Sequence, residues 1–253
     1  LLAAVEQDRA AGGTLTPQVA QRPAGVLFSL ESSGHPFILH AGYQTVAHLP
    51  LAERVAALRD PALRRDIIDN PPDLTGLPEV FTAALSAWDN MFPLGDPIDY
   101  EPGPEKNVRA QAKVAGYSPA EFAYDTMLAN NGKGIIYMPL LGYSNGDFEA
   151  LREMMLHPHA IFGLSDGGAH CGLICDASMP SYLLTHWARD RSRGARIPIE
   201  QLVHNQTQRT ASFYGLNDRG LIAPGMKADI NLIDYDNLTL HPPEMVYDLP
   251  AQA

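Results

Sequence analysis

The stretch that most constrains this chain is Ala160 to His170, A-I-F-G-L-S-D-G-G-A-H, where an apolar run ends abruptly in an acid followed by two glycines. Ile161, Phe162 and Leu164 suit a strand covered on both faces, as in the parallel sheet of an α/β protein. Gly167 and Gly168 permit a sharp exit that a side chain would obstruct. Asp166 is thereby expected at the C-terminal end of a strand. Barrels and open α/β sheets gather their chemistry there, because the loops leaving those ends converge on one face. An Asp before Gly also caps turns, and spacing alone leaves both readings open.

Composition bounds the partners. A chain of 253 residues buries roughly three quarters of its unfolded surface, enough for a sizeable core. A formal charge of −11 argues against nucleic acid, which needs a basic face to displace counterions. The basic run from Arg189 to Arg196 includes Asp190 and reads as a solvated loop. No apolar run approaches the length of a membrane span and no leader is visible, so no membrane partner is expected. Two cysteines, Cys171 and Cys175, are too few for a disulfide framework and fit a reducing compartment, with the cytoplasm as the default.

Along the chain, Leu1 to Ala11 has helical spacing and is stopped by Gly12-Gly13, after which Thr14 to Gln18 reads as a short strand. At the end of that strand Arg22 has the fork to clamp a substrate carboxylate, or serves structure. Residues 25–117 show two short helices, Leu51 to Arg59 and Ala62 to Ile68, a loop rich in Pro and Gly, and no long strand. Such a stretch is expected as an insertion over a barrel mouth. His35 and His40, set among aromatics, read as packed residues rather than ligands. Ser118-Pro119-Ala120-Glu121 is a capping box opening a helix that ends at Asn130-Asn131-Gly132. Lys133 to Leu141 is expected as a strand leading into a rim loop, where Tyr143 and Asn145 are within reach of an acyl or amide group; turn formation alone also accounts for Asn145.

The spacing predicts a helix over Asp147 to His157, a helix over Ser181 to Arg189 and an amphipathic helix over Ile199 to Tyr214. His157-Pro158-His159 precedes the Asp166 strand and is not read as a metal motif. Cys171, Cys175 and Asp176 are zinc-ligand types at a spacing poor for zinc. His170 is expected as a hydrogen-bonding wall of the Asp166 pocket, with the Gly168 N–H as a further donor. Ala228 to Tyr235 alternates like a half-exposed strand.

S-D-G-G-A-H, then C-D-A-S at Cys175 to Ser178 and L-T-H-W at Leu184 to Trp187, resemble the N-acyl-D-amino-acid deacylases of the amidohydrolase superfamily. The likeness also takes in Arg22-Pro23, His35 to Phe37, L-P-L-A-E-R from Leu49 and H-P-P-E-M-V-Y-D-L-P from His241. G-x-I-A-P-G-x-x-A-D, from Gly220 to Asp229, is similar to the return of amidohydrolases into their small β domain. The resemblance implies an α/β fold, the C-terminal part of a metal-dependent-hydrolase β/α (TIM-like) barrel with an inserted helical and loop region. It also implies this division: 1–24 a barrel helix and strand, 25–117 the insertion, 118–218 the last barrel strands and helices, 219–253 part of the small β domain.

The resemblance further implies a zinc-activated water that cleaves the amide bond of an N-acyl-D-amino acid, a small-molecule substrate. Asp166 passes a proton to the leaving amine and is a weak ligand of a second metal, and the other ligands lie on earlier strands. With three candidate strands, Thr14 to Gln18, Lys133 to Leu141 and Ala160 to Ser165, against the eight of a closed barrel, the chain is expected to be a fragment, inactive alone. Another amidohydrolase, hydantoinase-like or dipeptidase-like, and a non-catalytic scaffold remain as alternatives.

Overall fold

The computed structural model describes residues 1–165 and 170–247. Among them run β1 (Gln18–Val19), β2 (Gly25–Phe28), β3 (Phe92–Leu94), β4 (Ile135–Pro139) and β5 (Ile161–Phe162). β1 and β5 pair in parallel, Gln18 opposite Ile161 and Val19 opposite Phe162. β4 lies between β2 and β3 and is antiparallel to both. The rest of the regular structure is helical, so the fold is mixed α/β, rich in helix and poor in strand. The residues group into two units: Leu1–Ala24, Leu141–Gly168 and Asp176–His241 in the first, Gly25–Leu140, Ala169–Cys175 and Pro242–Ala253 in the second.

In the first unit the helix Leu2–Ala10 buries Val5, and Gly12 takes a φ of 84° beyond its end. Asp8 Oδ2 accepts the Leu15 N–H at 2.7 Å and Arg9 Nη2 donates to Thr16 Oγ1 at 3.0 Å, so the last helical turn holds the approach to β1. Val19, Ile161 and Phe162 are buried. The helix Glu149–Leu156 buries Leu151 and Met155. Met179–Tyr182 continues without a break into a wider π-helical stretch, Leu183–Asp190, whose Trp187 is wholly buried. The Trp187 indole packs on Phe148 with ring centroids 5.7 Å apart, carries the Arg191 guanidinium 4.6 Å from its own centroid, and donates Nε1–H to the Gln21 carbonyl at 2.7 Å.

In the second unit the helices Leu51–Leu58, Pro61–Asp69, Val108–Ala115 and Pro119–Gly132 accompany the antiparallel sheet. Its core includes Phe28, Phe37, Leu58, Met91, Met127 and Ile136. The capping box forms as expected. Ser118 Oγ accepts the Glu121 N–H at 3.2 Å, and Glu121 Oε2 accepts the Ser118 N–H at 2.9 Å. Hydrogen bonding to the ionised carboxylate by the Ser118 N–H, and then by the Ser118 side chain, holds the Glu121 carboxyl below its ordinary pKa. The Pro119–Gly132 segment leaves helical geometry at Ala129, and Asn130 and Asn131 turn left-handed with φ of 52° and 58°, the conformation that Asn tolerates better than most residues.

Several expectations change. The strand in Lys133 to Leu141 is present as β4, but its antiparallel partners make it part of a small sheet rather than a barrel stave. Its partners β2 and β3 lie in the stretch expected to have no long strand, and they are short, four and three residues. The expected boundary between 117 and 118 falls inside the second unit, because the capped helix and β4 group with what precedes them. β5 ends after Phe162; Leu164 is exposed rather than covered and takes a φ of 63°. Ala228 to Tyr235 pairs with no strand among the described residues, and Ile230 and Leu232 are exposed. No closed barrel forms among the described residues.

Candidate active site

The parallel pairing of β1 and β5 fixes which residues leave the first unit's sheet at the same end. The Gly163 N–H donates to the Val19 carbonyl at 3.1 Å, carrying the register one step past Phe162. Gly163 also makes room: a Cβ there would stand 3.1 Å from the Gln18 side chain. Beyond β1 come Gln21 and Arg22; beyond β5 come Leu164 and Ser165, the last described residues before Asp166. Asp166 and Gly168 lie outside the described residues. On either side of them the backbone is left-handed at a non-glycine residue, φ 63° at Leu164 and 56° at His170. Such conformations cost about 1–3 kcal/mol each and concentrate at ligand clamps and active sites.

Arg22 is 2% exposed, and its guanidinium Nη2 lies 3.3 Å from Asp176 Oδ1 and 3.4 Å from Ser178 Oγ. A substrate carboxylate there would meet a cation already facing a carboxylate of its own chain. Gln21, 1% exposed, gives its backbone carbonyl to Trp187 and its amide Nε2 to Gln206 at 3.4 Å, while its Oε1 has no hydrogen-bond partner among the described residues. Asp176 appeared in the sequence only as a zinc-ligand type. Its pairing with Arg22 joins segments far apart in the chain, and the only sequence signal for it was that Arg22-Pro23 and C-D-A-S both belong to the resemblance.

Tyr143 is buried, its ring edge-on to Phe148 at 5.5 Å, and its hydroxyl accepts from Arg193 Nη1 at 3.0 Å. Arg193 also donates through Nη2 to the Gly146 carbonyl at 2.9 Å, bracing the loop from both sides. Asn145 is exposed in the turn closed by the Gly146 N–H on the Tyr143 carbonyl, 3.1 Å. His157 Nε2 sits 2.9 Å from Glu6 Oε1, an ion pair when protonated, and its ring is 5.7 Å from that of His159.

His170 belongs to the second unit, where it is exposed and its carbonyl accepts the Leu173 and Ile174 N–H groups at 2.7 and 2.8 Å. In that unit's core His35 is pushed down to about 3 by burial, then by Arg54 and His40. His40 is lowered too, chiefly by burial, against a hydrogen bond to the Asn70 backbone and the Asp66 charge. Both are packed residues, as the sequence suggests. Among the described residues no three His, Cys, Asp or Glu side chains form a group able to hold a metal ion.

The model of the amidohydrolase family matches residues 3–252. This chain belongs to the amidohydrolase family. No curated protein and no solved structure matches it. The amidohydrolase match takes in residues of both units. The chain is thus a hydrolase domain of that family. No helix among the described residues is long and apolar enough to cross a membrane.

Proposed function

We propose that this amidohydrolase cleaves the amide bond of N-acyl-D-amino acids, releasing a carboxylate and a D-amino acid. The observation that carries the reading is the family match over residues 3–252, joined to the S-D-G-G-A-H stretch that begins three residues after β5. In this reading Asp166 takes the proton of the attacking water and passes it to the leaving amine. A free aspartate titrates near 3.9 and is a weak base at neutral pH, so the surroundings must make that transfer effective. Zinc belongs to the proposal as the activator of water. The described residues present no set of ligands that fits it.

The test is hydrolysis of a panel of N-acyl-D- and N-acyl-L-amino acids, a hydantoin and a dipeptide by the complete gene product that contains this chain, supplied with zinc; these 253 residues alone should be inactive. Release of free D-amino acid is the expected outcome, and Asp166→Asn should lower kcat by about 100-fold or more, the usual weight of a general acid-base group. Turnover of the hydantoin or dipeptide alone would move the assignment within the family. An Asp166→Asn variant with normal kcat would remove that residue from the mechanism.

A further inference from the structure

Cys171 and Cys175, the only cysteines in the chain, lie in a loop of the second unit fastened to β2 and the turn after it. The Leu27 N–H donates to the Leu173 carbonyl at 2.7 Å and the Ser33 N–H to the Gly172 carbonyl at 2.9 Å. The Ile174 N–H reaches back to the His170 carbonyl at 2.8 Å, so the chain folds on itself with Cys171 inside the turn and Cys175 one residue beyond it. Both thiols are exposed. Both line one groove together with Leu27, Lys133, Glu244 and Met245.

We propose that Cys171 and Cys175 form a dithiol modification site that takes small disulfides of the glutathione type and closes to an intramolecular disulfide. A disulfide accepts Cα atoms roughly 4.4–6.8 Å apart, a separation open to residues four apart when the chain between them turns back rather than running extended. One cysteine, as thiolate, attacks a sulfur of the small disulfide, forming a mixed disulfide and expelling one small thiol. The second thiolate then attacks the protein sulfur of that bond, forming Cys171–Cys175 and expelling the other small thiol. Two protein thiols are oxidised, one disulfide is reduced to two thiols, and the two protons leave the cysteines for the departing thiolates. The shared groove and the short turn between them distinguish this pair.

The chain is reduced, equilibrated with oxidised and reduced glutathione, quenched with a maleimide and weighed by mass spectrometry, beside Cys171→Ser and Cys175→Ser. The wild type should lose the mass of two hydrogens and all maleimide-reactive thiol. Each single variant should instead gain one glutathione, because it keeps an attacking thiol and lacks the second. Circular dichroism verifies that these exposed substitutions leave the fold intact. Glutathione adducts that persist on the wild type, covalent dimers, or a wild type no more oxidised than the variants would each overturn the proposal. The readout is thiol chemistry alone, so its failure leaves the hydrolase reading untouched.

Discussion

Replacing His35 by asparagine should flatten the acid side of the stability profile. The imidazole is fully buried, edge-on to Tyr43 at 4.6 Å, and accepts the Phe37 N–H at Nδ1, 3.2 Å away. The neutral ring therefore carries its proton on Nε2, which has no hydrogen-bond partner among the described residues. A second proton would place a cation in that core beside Arg54 and His40, with Asp66 acting on His40, and burial with those neighbours lowers the pKa from 6.5 to about 3. The sign follows from which state binds the proton. Above the unfolded value neither state is protonated at this site and stability does not depend on it. As pH falls from 6.5 towards 3 the unfolded chain takes the proton and the folded chain does not, so stability drops.

At ~1.4 kcal/mol per pH unit the full loss is about 5 kcal/mol, of which about 2 kcal/mol falls between about pH 7.5 and pH 5. Asparagine retains an acceptor for the N–H two residues on, as in an Asx turn, but does not titrate. Urea unfolding of both proteins at the two pH values gives the comparison. The variant starts less stable and should lose about 2 kcal/mol less on acidification. Profiles running parallel, offset by a constant, would refute the idea that His35 is held neutral by its surroundings.

Other outcomes follow from the same reasoning. Asp176→Ala should cost about 3–5 kcal/mol by thermal or urea unfolding, because it leaves the Arg22 guanidinium buried without that carboxylate; a cost below about 1 kcal/mol would show that the pair is not what keeps Arg22 inside. Gly134→Ala should destabilise by roughly 3 kcal/mol or prevent folding, since the new Cβ would stand 1.8 Å from the Thr126 carbonyl oxygen, a backbone atom that cannot swing away. Trp187→Ala should cost about 3–5 kcal/mol through the cavity it opens, and Trp187→Phe should recover part of this without the Nε1 bond to Gln21. Soluble, cooperative unfolding at wild-type midpoints would contradict each of these three.

Helices were legible where local chemistry sets their ends: the capping box at Ser118 and Glu121, the left-handed asparagines at 130 and 131, the paired short helices from Leu51 and Pro61. Strands were less so. β2 is a run of four residues and β3 contains Pro93, so neither carries the alternation that identifies a strand. β4 was found, but nothing within Ile135 to Pro139 says that its neighbours run antiparallel; that depends on partners distant in the chain. Ala228 to Tyr235 has the alternation and lacks a strand partner among the described residues, which shows the reverse: pattern marks a capacity to pair. At the candidate site, Arg22 was singled out for its fork geometry, but the carboxylate it faces was hidden, because a contact across the fold leaves no trace in local spacing. Leu164 read as core by its chemistry, and its left-handed backbone turns it out to solvent.

The pairing of Gln18 with Ile161 also orders events at the ribosome. β1 waits for this neighbour, since β5 is made only after the antiparallel sheet and the helices of the second unit have been threaded through the exit. Closing so long a loop carries an entropy cost that only tertiary burial can offset. Pairing of β1 with β5 therefore follows synthesis of the second unit's sheet and helices, which lie between the two strands in the sequence.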